Sequence, residues 1–225
     1  MKKSVEQALK RPLRLAHSLA VKKVIKQFAH KFEFVYFGYV NHQEDEHELV
    51  RGITAAVTHH DDHFTVGNFR GRDVTLVERQ DTLTFPGKPA QSYRWIIMQL
   101  DLKQDGIPHM FIDAHHHDEV FYANVFVKHK IFENAASQFM QHDPQFTKYF
   151  KIFAPTNVFD ELQDVLTPEI TAMLSHHFKQ FDYELFEDRL LIYASNAVVT
   201  LGTLQEMLRV GIWLAERLDK RQTDM

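Results

Sequence analysis

The sequence predicts an α+β protein in which an antiparallel β-meander packs with helices at both ends of the chain. Three observations lead to this class. Residues 13–31 carry apolar side chains at helical spacing, residues 32–127 are mainly short β-like segments separated by turn residues, and residues 201–221 return to helical spacing. With 225 residues, of which 44% are hydrophobic, the chain can bury a sizeable core. We therefore expect residues 1–225 to form one domain.

Residues 1–31 are predicted to form a basic leader with an amphipathic helix. Pro12 suits a first helical position, and the helix is expected over residues 13–31. At 3.6 residues per turn one face is apolar, with Val21, Val24, Ile25, Phe28 and Phe32. The opposite face is polar and basic, with Lys22, Lys23, Lys26, Gln27 and His30.

Residues 32–127 are predicted to be mainly β. A strand is expected at 32–40, followed by a polar loop at 41–48. Further strands are expected at 49–58, 63–70, 73–80, 93–102 and 108–113, with another at 119–127. Gly71, between Arg70 and Arg72, marks a hairpin tip.

Residues 128–225 are predicted to mix helix with a β-hairpin. Thr167, Pro168 and Glu169 have the order of an N-cap, a first helical residue and an acid near the helix dipole, which predicts a helix near 167–178. Segments 181–186 and 190–193 form the hairpin. A final helix at 201–221 starts from a capping box of Thr203 and Glu206 or already at Thr200.

Composition and charge exclude several classes of protein. The chain has no cysteine, which excludes disulfides, thiolate catalysis and cysteine-based metal sites. No apolar run approaches the ~20 residues that cross a bilayer, and no signal-peptide core follows Lys3. Residues 1–31 hold nine bases and one acid, a charge of +8, so the remaining residues carry −12. We expect a cytoplasmic protein without a transmembrane segment.

Two histidine-rich clusters raise the hypothesis of a metal site. They are residues 59–63 and residues 115–119. Zinc or non-haem iron needs three or four converging ligands, and neighbours on a strand point to opposite faces. His115 and His117 could share one side with Asp113. The order Asp-x-His-x-His also occurs in metal-dependent amidohydrolases, but there it ends the first strand of a TIM barrel, and here it comes mid-chain with no βα repeat after it, so we set that match aside. The alternative that we favour is that both clusters are polar loops between strands, with no cofactor.

The basic helix has three interpretations. Its apolar face packs on the protein's own core and its lysines are solvated, or it lies on an anionic membrane surface, or it binds nucleic acid. The membrane or partner surface would be formed by Lys22, Lys23 and Lys26. The acidic remainder of the chain disfavours nucleic acid. An unknown protein partner stays open.

Six segments between residues 69 and 193 carry a resemblance to a known family: 69–76, 107–113, 146–155, 166–169, 181–184 and 191–193. Over this span, more than half of the chain, the sequence resembles an uncharacterised bacterial family whose members are commonly membrane-tethered. The resemblance implies a shared α+β fold and no catalytic residues. Members of that family often carry transmembrane segments and none is expected in this sequence, so membrane attachment is not carried over from the resemblance.

These observations favour a non-catalytic binding or scaffold module in the cytoplasm, peripheral to the membrane through residues 13–31. The phosphate-binding loop, dinucleotide fingerprint, nucleophile elbow and zincin motif are all missing from the sequence. The alternative is a metal-dependent hydrolase that uses the histidine clusters. A second alternative is nucleic-acid binding through the basic N-terminal helix.

Overall fold

A computed structural model places nine strands of the described residues in one antiparallel sheet. It describes residues 18–39, 50–55, 58–84, 87, 89–114, 119–126, 132–139, 141–195 and 199–220. The strands are β1 (Val35–Gly38), β2 (His60–Phe69), β3 (Arg72–Leu83), β4 (Gln91–Asp101), β5 (Met110–Asp113), β6 (Phe132–Asn134), β7 (Lys151–Pro155), β8 (Asp182–Phe186) and β9 (Arg189–Ser195). Their order across the sheet is β1-β2-β3-β4-β9-β8-β5-β7-β6. The predicted α+β class with helices near both ends is confirmed.

The helices lie mainly in the second half of the chain. They are α1 (residues 18–32), α2 (Glu119–Val125), α3 (Pro144–Tyr149), α4 (Phe159–Val165), α5 (Pro168–His177) and α6 (Leu201–Lys220). Two short 3₁₀ turns cover Ala136–Phe139 and Thr156–Val158. Among these described helices, none is long and apolar enough to cross a membrane.

The sheet has two covered faces. One, here the helix face, presents Leu76, Met98 and Ile192 to a large core that includes residues of α1 and of α3 to α6. The other, here the loop face, presents Val77, Trp95 and other side chains to α2 and to residues 50–55. Because both faces are buried, the central strands are apolar on both sides, as expected for a sheet between two layers.

The connection from α1 to β1 is fixed by a left-handed residue. Glu33 has φ of 59°, and the Phe34 N–H donates to the Ala29 carbonyl at 2.8 Å, which is the closing bond of a Schellman motif. The Phe34 ring then lies directly on Gly67 of β2, where a Cβ would come within 2.1 Å of the ring. This contact seats α1 and β1 on the first hairpin.

Helix α6 lies close against the middle of the sheet. At Gly211 an added Cβ would be 2.7 Å from Leu100 Cδ1 and 2.9 Å from Ile192 Cδ1, so the helix backbone approaches the strands as nearly as glycine allows. Near the helix end, Asp219 pairs with the Arg72 guanidinium and accepts from the Lys103 N–H at 3.0 Å. These contacts fix α6 over β4 and β9.

Several predicted elements are confirmed. Arg70 and Gly71 have φ of 54° and 75°, which makes the two-residue hairpin turn predicted around Gly71. Thr167 is the N-cap of α5, accepting from the Ile170 N–H at 3.4 Å. For α6 the earlier start is right, because the Thr203 N–H donates to Thr200 Oγ1 at 3.0 Å.

Three predictions are wrong. The segment predicted as a strand at 49–58 is irregular at its described residues, 50–55 and 58, because the backbone of residues 50–55 bonds to buried side chains instead of a neighbouring strand. Residues 60–62, predicted to lie in a polar loop before the strand at 63–70, already belong to strand β2. The strand predicted at 119–127 is helix α2, whose Phe121 and Val125, four residues apart, pack together on the loop face. The loop predicted at 41–48 lies outside the described residues.

Candidate functional site

Helix α1 buries one face and exposes the other. Val21, Ile25 and Phe28 are at most 2% exposed and pack on the helix face of the sheet. The apolar face of the helix is therefore occupied by the protein's own core, as in the first of the three interpretations above.

The three lysines predicted to form a membrane or partner surface share the opposite side of α1. Lys22, Lys23 and Lys26 are all exposed, as is His30. Together with Leu19 and Gln27 they line a shallow depression of about 520 Å³. Leu19 is 61% exposed, so an apolar side chain lies among the lysines.

Strand β1 adds exposed apolar side chains at the sheet edge next to α1, where Val35 and Phe37 point to the loop face, the face opposite α1. It lies at one edge of the sheet and pairs with β2 on one side. Val35, Phe37 and Tyr39 alternate outward and are 55%, 50% and 61% exposed. Among the described residues these three and Leu19 are the large hydrophobic side chains that are mainly exposed. The sequence predicted the strand but not that its apolar residues face outward.

Tyr36 joins the helix to the strand. Its ring lies under the Lys26 ammonium, with Nζ 5.0 Å from the ring centroid. Its hydroxyl is 2.9 Å from His63 Nδ1, and His63 Nε2 is 3.6 Å from Glu78 Oε2. We name the surface formed by Leu19, Lys22, Lys23, Lys26, Val35, Phe37 and Tyr39 the basic-aromatic edge.

Burial under α1 controls the ionisation of this inner group. It lowers the pKa of His63, an effect that nearby Asp62 opposes and Lys22 reinforces. Burial likewise raises the pKa of Glu78 and the pKa of Tyr36. Because His63 is only 8% exposed, its imidazole supports the edge from beneath and does not meet solvent molecules freely.

A second polar group lies on the loop face around Glu184, which is completely buried. Its carboxylate accepts from the Ile53 N–H at 2.8 and 3.0 Å and from the Tyr193 hydroxyl at 2.5 Å, and lies 2.6 Å from His109 Nε2. Burial and the Glu184 charge raise the pKa of Tyr193 well above its usual value, so the phenol stays a donor. These bonds fix residues 50–55 on the sheet.

Sequence reasoning missed this group. Along residues 181–186 the acids Asp182 and Glu184 alternate with apolar side chains, a pattern that predicts an exposed acidic face, but both acids are buried. The available signal was an acid-containing strand whose partner Leu190–Tyr193 is apolar throughout, which is typical of a strand covered on both faces. Such an acid needs buried donors.

The residues of the predicted metal site are only partly described. Asp113 ends β5, is completely buried and accepts from the Tyr122 hydroxyl. His115 and His117 lie outside the described residues, so the set stays a prediction. In the other cluster His60 pairs with Asp62 at 3.3 Å and Asp61 pairs with Arg79. The described part of the chain contains no group of three or more histidine and acidic side chains arranged for a metal ion.

The comparisons with known proteins support the fold of the chain. No protein-family model matches the chain, and no curated protein sequence matches it. Among solved structures the chain is similar to the crystal structure of the mycobacterial trehalose monomycolate transport factor A, TtfA. The likeness has a TM-score of 0.57 and covers 88% of this chain and 92% of that chain, at 9% sequence identity. At this identity the likeness concerns the fold alone.

Proposed function

We propose that this chain is a non-catalytic binding module that attaches to an anionic membrane surface through the basic-aromatic edge. One observation carries the proposal. The large hydrophobic side chains that are mainly exposed in the described residues all lie between Leu19 and Tyr39, the same stretch that presents Lys22, Lys23 and Lys26. Exposed apolar side chains concentrated at one edge of a protein point to an interaction surface.

The chemistry of the edge suits a bilayer surface. Each lysine close to an anionic membrane contributes about 1 kcal/mol of binding free energy. Tyrosine and phenylalanine can enter the headgroup region while the lysines stay beside the lipid phosphates. Attachment in this form leaves the buried face of α1 in the core, and is therefore different from insertion of a free amphipathic helix.

The charge distribution gives the attachment an orientation. Residues 1–31 carry +8 and the rest of the chain −12, so an anionic surface attracts the leader and repels the body. At the basic-aromatic edge, exposed apolar side chains lie next to the positive charge of α1. The protein would meet the bilayer through this edge.

A non-catalytic role is supported by the environment of the ionisable groups. His63 and Glu184 are buried beneath α1 and beneath residues 50–55, and both are occupied by hydrogen bonds or ion contacts within the protein. The similar solved structure is described as a transport factor for trehalose monomycolate, a description that names no reaction.

Vesicle flotation tests the proposal. We expect the full chain to float with vesicles of phosphatidylcholine and phosphatidylserine, and to stay behind with phosphatidylcholine alone. Changing Lys22, Lys23 and Lys26 together to Gln should weaken the binding roughly a hundredfold, because three contributions of about 1 kcal/mol are lost. Phe37→Ser with Tyr39→Ser should weaken the binding that remains at high salt.

A matched control separates this surface from net charge. Lys103, Lys148 and Lys220 are exposed and lie outside α1 and β1, so changing them to Gln alters the charge equally. Binding that falls equally in both triple variants would contradict the proposal. Absence of flotation, combined with salt-sensitive binding of single-stranded DNA by the same lysines, would favour the nucleic-acid alternative instead.

A further inference from the structure

A cleft beside α6, away from the basic-aromatic edge, has the form of a small-molecule site. Its volume is about 400 Å³, within the range of ~300–1,000 Å³ typical of ligand pockets. One wall is formed by Phe32 at the end of α1 and Phe69 at the end of β2, whose rings meet edge to face at 5.5 Å. Ile212 and Trp213 of α6 form the opposite wall.

A second cleft of about 350 Å³ lies on the other side of Trp213. It is lined by Met173, His177 and Phe178 near the end of α5, and shares Trp213 and Arg209 with the first cleft. The two clefts adjoin at Arg209 and Trp213, which line both of them. An extended apolar chain fits such a pair of clefts better than a compact ring system does.

The polar groups of the first cleft indicate the charge of the ligand. Arg70 at the hairpin tip and Arg209 of α6 both line it and are exposed. The Arg209 guanidinium rests 5.2 Å from the Phe178 ring, and its ion contact with exposed Glu206 is long, at 3.9 Å. Glu216 also lines the cleft, so two guanidinium groups face one carboxylate. The balance favours an anionic group between the arginines.

We infer that this paired cleft binds a single-chain amphiphile with an anionic head, its chain between Phe69 and Trp213 and its head between Arg70 and Arg209. The inference does not depend on membrane attachment, because it uses other residues. It assigns a small-molecule ligand to the protein, in addition to the membrane surface proposed for the basic-aromatic edge.

Tryptophan fluorescence tests it directly, because the chain has two tryptophans in different places. Trp213 lines both clefts, whereas Trp95 is 2% exposed on the loop face. We expect dodecanoate that carries bromine at the end of its alkyl chain, added below its critical micelle concentration, to quench the tryptophan fluorescence of the full-length protein. The quenching should reach saturation. In Trp213→Phe the remaining emission should be unaffected.

Two variants test separately how the protein binds the apolar chain of the ligand and how it binds the anionic head. Gln205→Phe places a larger apolar side chain in the first cleft and should abolish quenching without lowering the thermal melt. Arg70→Gln with Arg209→Gln should weaken dodecanoate roughly fivefold to tenfold and leave uncharged dodecanol unchanged.

Three outcomes would overturn the inference: quenching that does not saturate, quenching that persists in Trp213→Phe, and equal loss of dodecanoate and dodecanol in the arginine variant. Sedimentation of the same samples measures the oligomeric state, and so tests whether a second copy of the protein occupies the cleft. A dimer that Gln205→Phe dissociates, in a protein that dodecanoate does not quench, would assign the cleft to self-association.

Discussion

Arg79 of β3 and Asp61 of β2 lie directly opposite each other and form a bidentate ion pair on the loop face. Arg79 Nε is 2.8 Å from Asp61 Oδ1 and Nη2 is 2.7 Å from Oδ2, with Arg79 fully buried. The same guanidinium donates at 3.1 Å to the Arg51 carbonyl and to Thr54 Oγ1. The pair therefore connects the sheet to residues 50–55.

Arg79→Met is expected to lower the free energy of unfolding by about 3–5 kcal/mol, because it leaves the Asp61 carboxylate buried without its cation. Urea denaturation of the full chain measures this loss. Arg79→Met combined with Asp61→Leu should be less damaging than Arg79→Met alone, since the unpaired charge is gone.

The matched control is Asp188→Asn. Asp188 also pairs with an arginine, Arg189 at 3.5 Å, but is 48% exposed. We expect a change within about 0.5 kcal/mol there. If Arg79→Met cost no more than this control, Asp61 would have to reach solvent, and the described connection to residues 50–55 would be wrong.

Gly52→Ala tests the seating of residues 50–55 on Glu184. Gly52 has φ of 87°, and a Cβ would lie 2.6 Å from Glu184 Oε2 and 2.7 Å from the Tyr193 hydroxyl oxygen. Because Glu184 is held by three donors, it cannot move aside without losing hydrogen bonds. We expect a loss of about 3 kcal/mol or more in the free energy of unfolding, combining backbone strain with overpacking.

Gly106→Ala controls for the backbone alone. Gly106 has a similar φ of 76°, but nothing lies within 4 Å of its added Cβ. The expected loss is about 1–2 kcal/mol, which is the cost of a left-handed non-glycine residue. Equal losses at the two positions would mean that residues 50–55 do not rest on Glu184 as described.

The fold could be predicted from sequence where a single periodicity governs a segment. Helix α6 and the β8–β9 hairpin are in this class, because each shows its spacing over its whole length. Residues 50–55 could not be predicted, because their conformation depends on Arg79 and Glu184, which are distant in sequence. The prediction of a strand in place of α2 was wrong because seven residues show too little periodicity to distinguish a helix from a strand.

For the proposed surface, the positions of the lysines on α1 could be predicted from sequence, but those of the apolar side chains of β1 could not. The spacing of Lys22, Lys23 and Lys26 is enough to place them on the outer face of a helix. Phe37 and Tyr39 are exposed because β1 lies at the edge of the sheet. The order of strands in a sheet cannot be predicted from local sequence. The cleft at Trp213 is formed by three elements, so no local pattern could have indicated it.

Gly211→Ala and Gly202→Ala in the same helix are expected to have opposite signs. At Gly211 the added methyl meets Leu100 and Ile192, both fully buried, and should cost about 1–2 kcal/mol after the gain in helix propensity. At Gly202 the nearest atom is Thr200 Oγ1 at 3.6 Å, so the propensity gain of up to ~1 kcal/mol stands alone. Thermal melts of both variants measure the signs. A stabilising Gly211→Ala would mean that α6 does not approach the sheet at this residue.

His63→Asn is expected to flatten the dependence of stability on pH. Burial lowers the pKa of His63 in the folded protein below the ordinary value of about 6.5. Between these two values the unfolded chain binds more protons, so the free energy of unfolding rises with pH across that window and falls on acidification. Asparagine tolerates the φ of 61° at this position but does not ionise.

Urea denaturation at pH 7 and at pH 5 measures the effect of His63. Between pH 7 and pH 5 the wild type should lose more free energy of unfolding than His63→Asn does. Only in the wild type does acidification protonate an imidazole that is solvated in the unfolded chain but resists protonation when it is buried beneath α1. The contribution from Glu78, whose pKa is raised by burial, remains in both proteins, although loss of the imidazole also changes its surroundings. His30→Asn, at an exposed position of α1, controls for the loss of a histidine and should follow the wild type. If His63→Asn followed it too, the imidazole would be solvated in the folded protein, and α1 would not seal the inner side of the basic-aromatic edge.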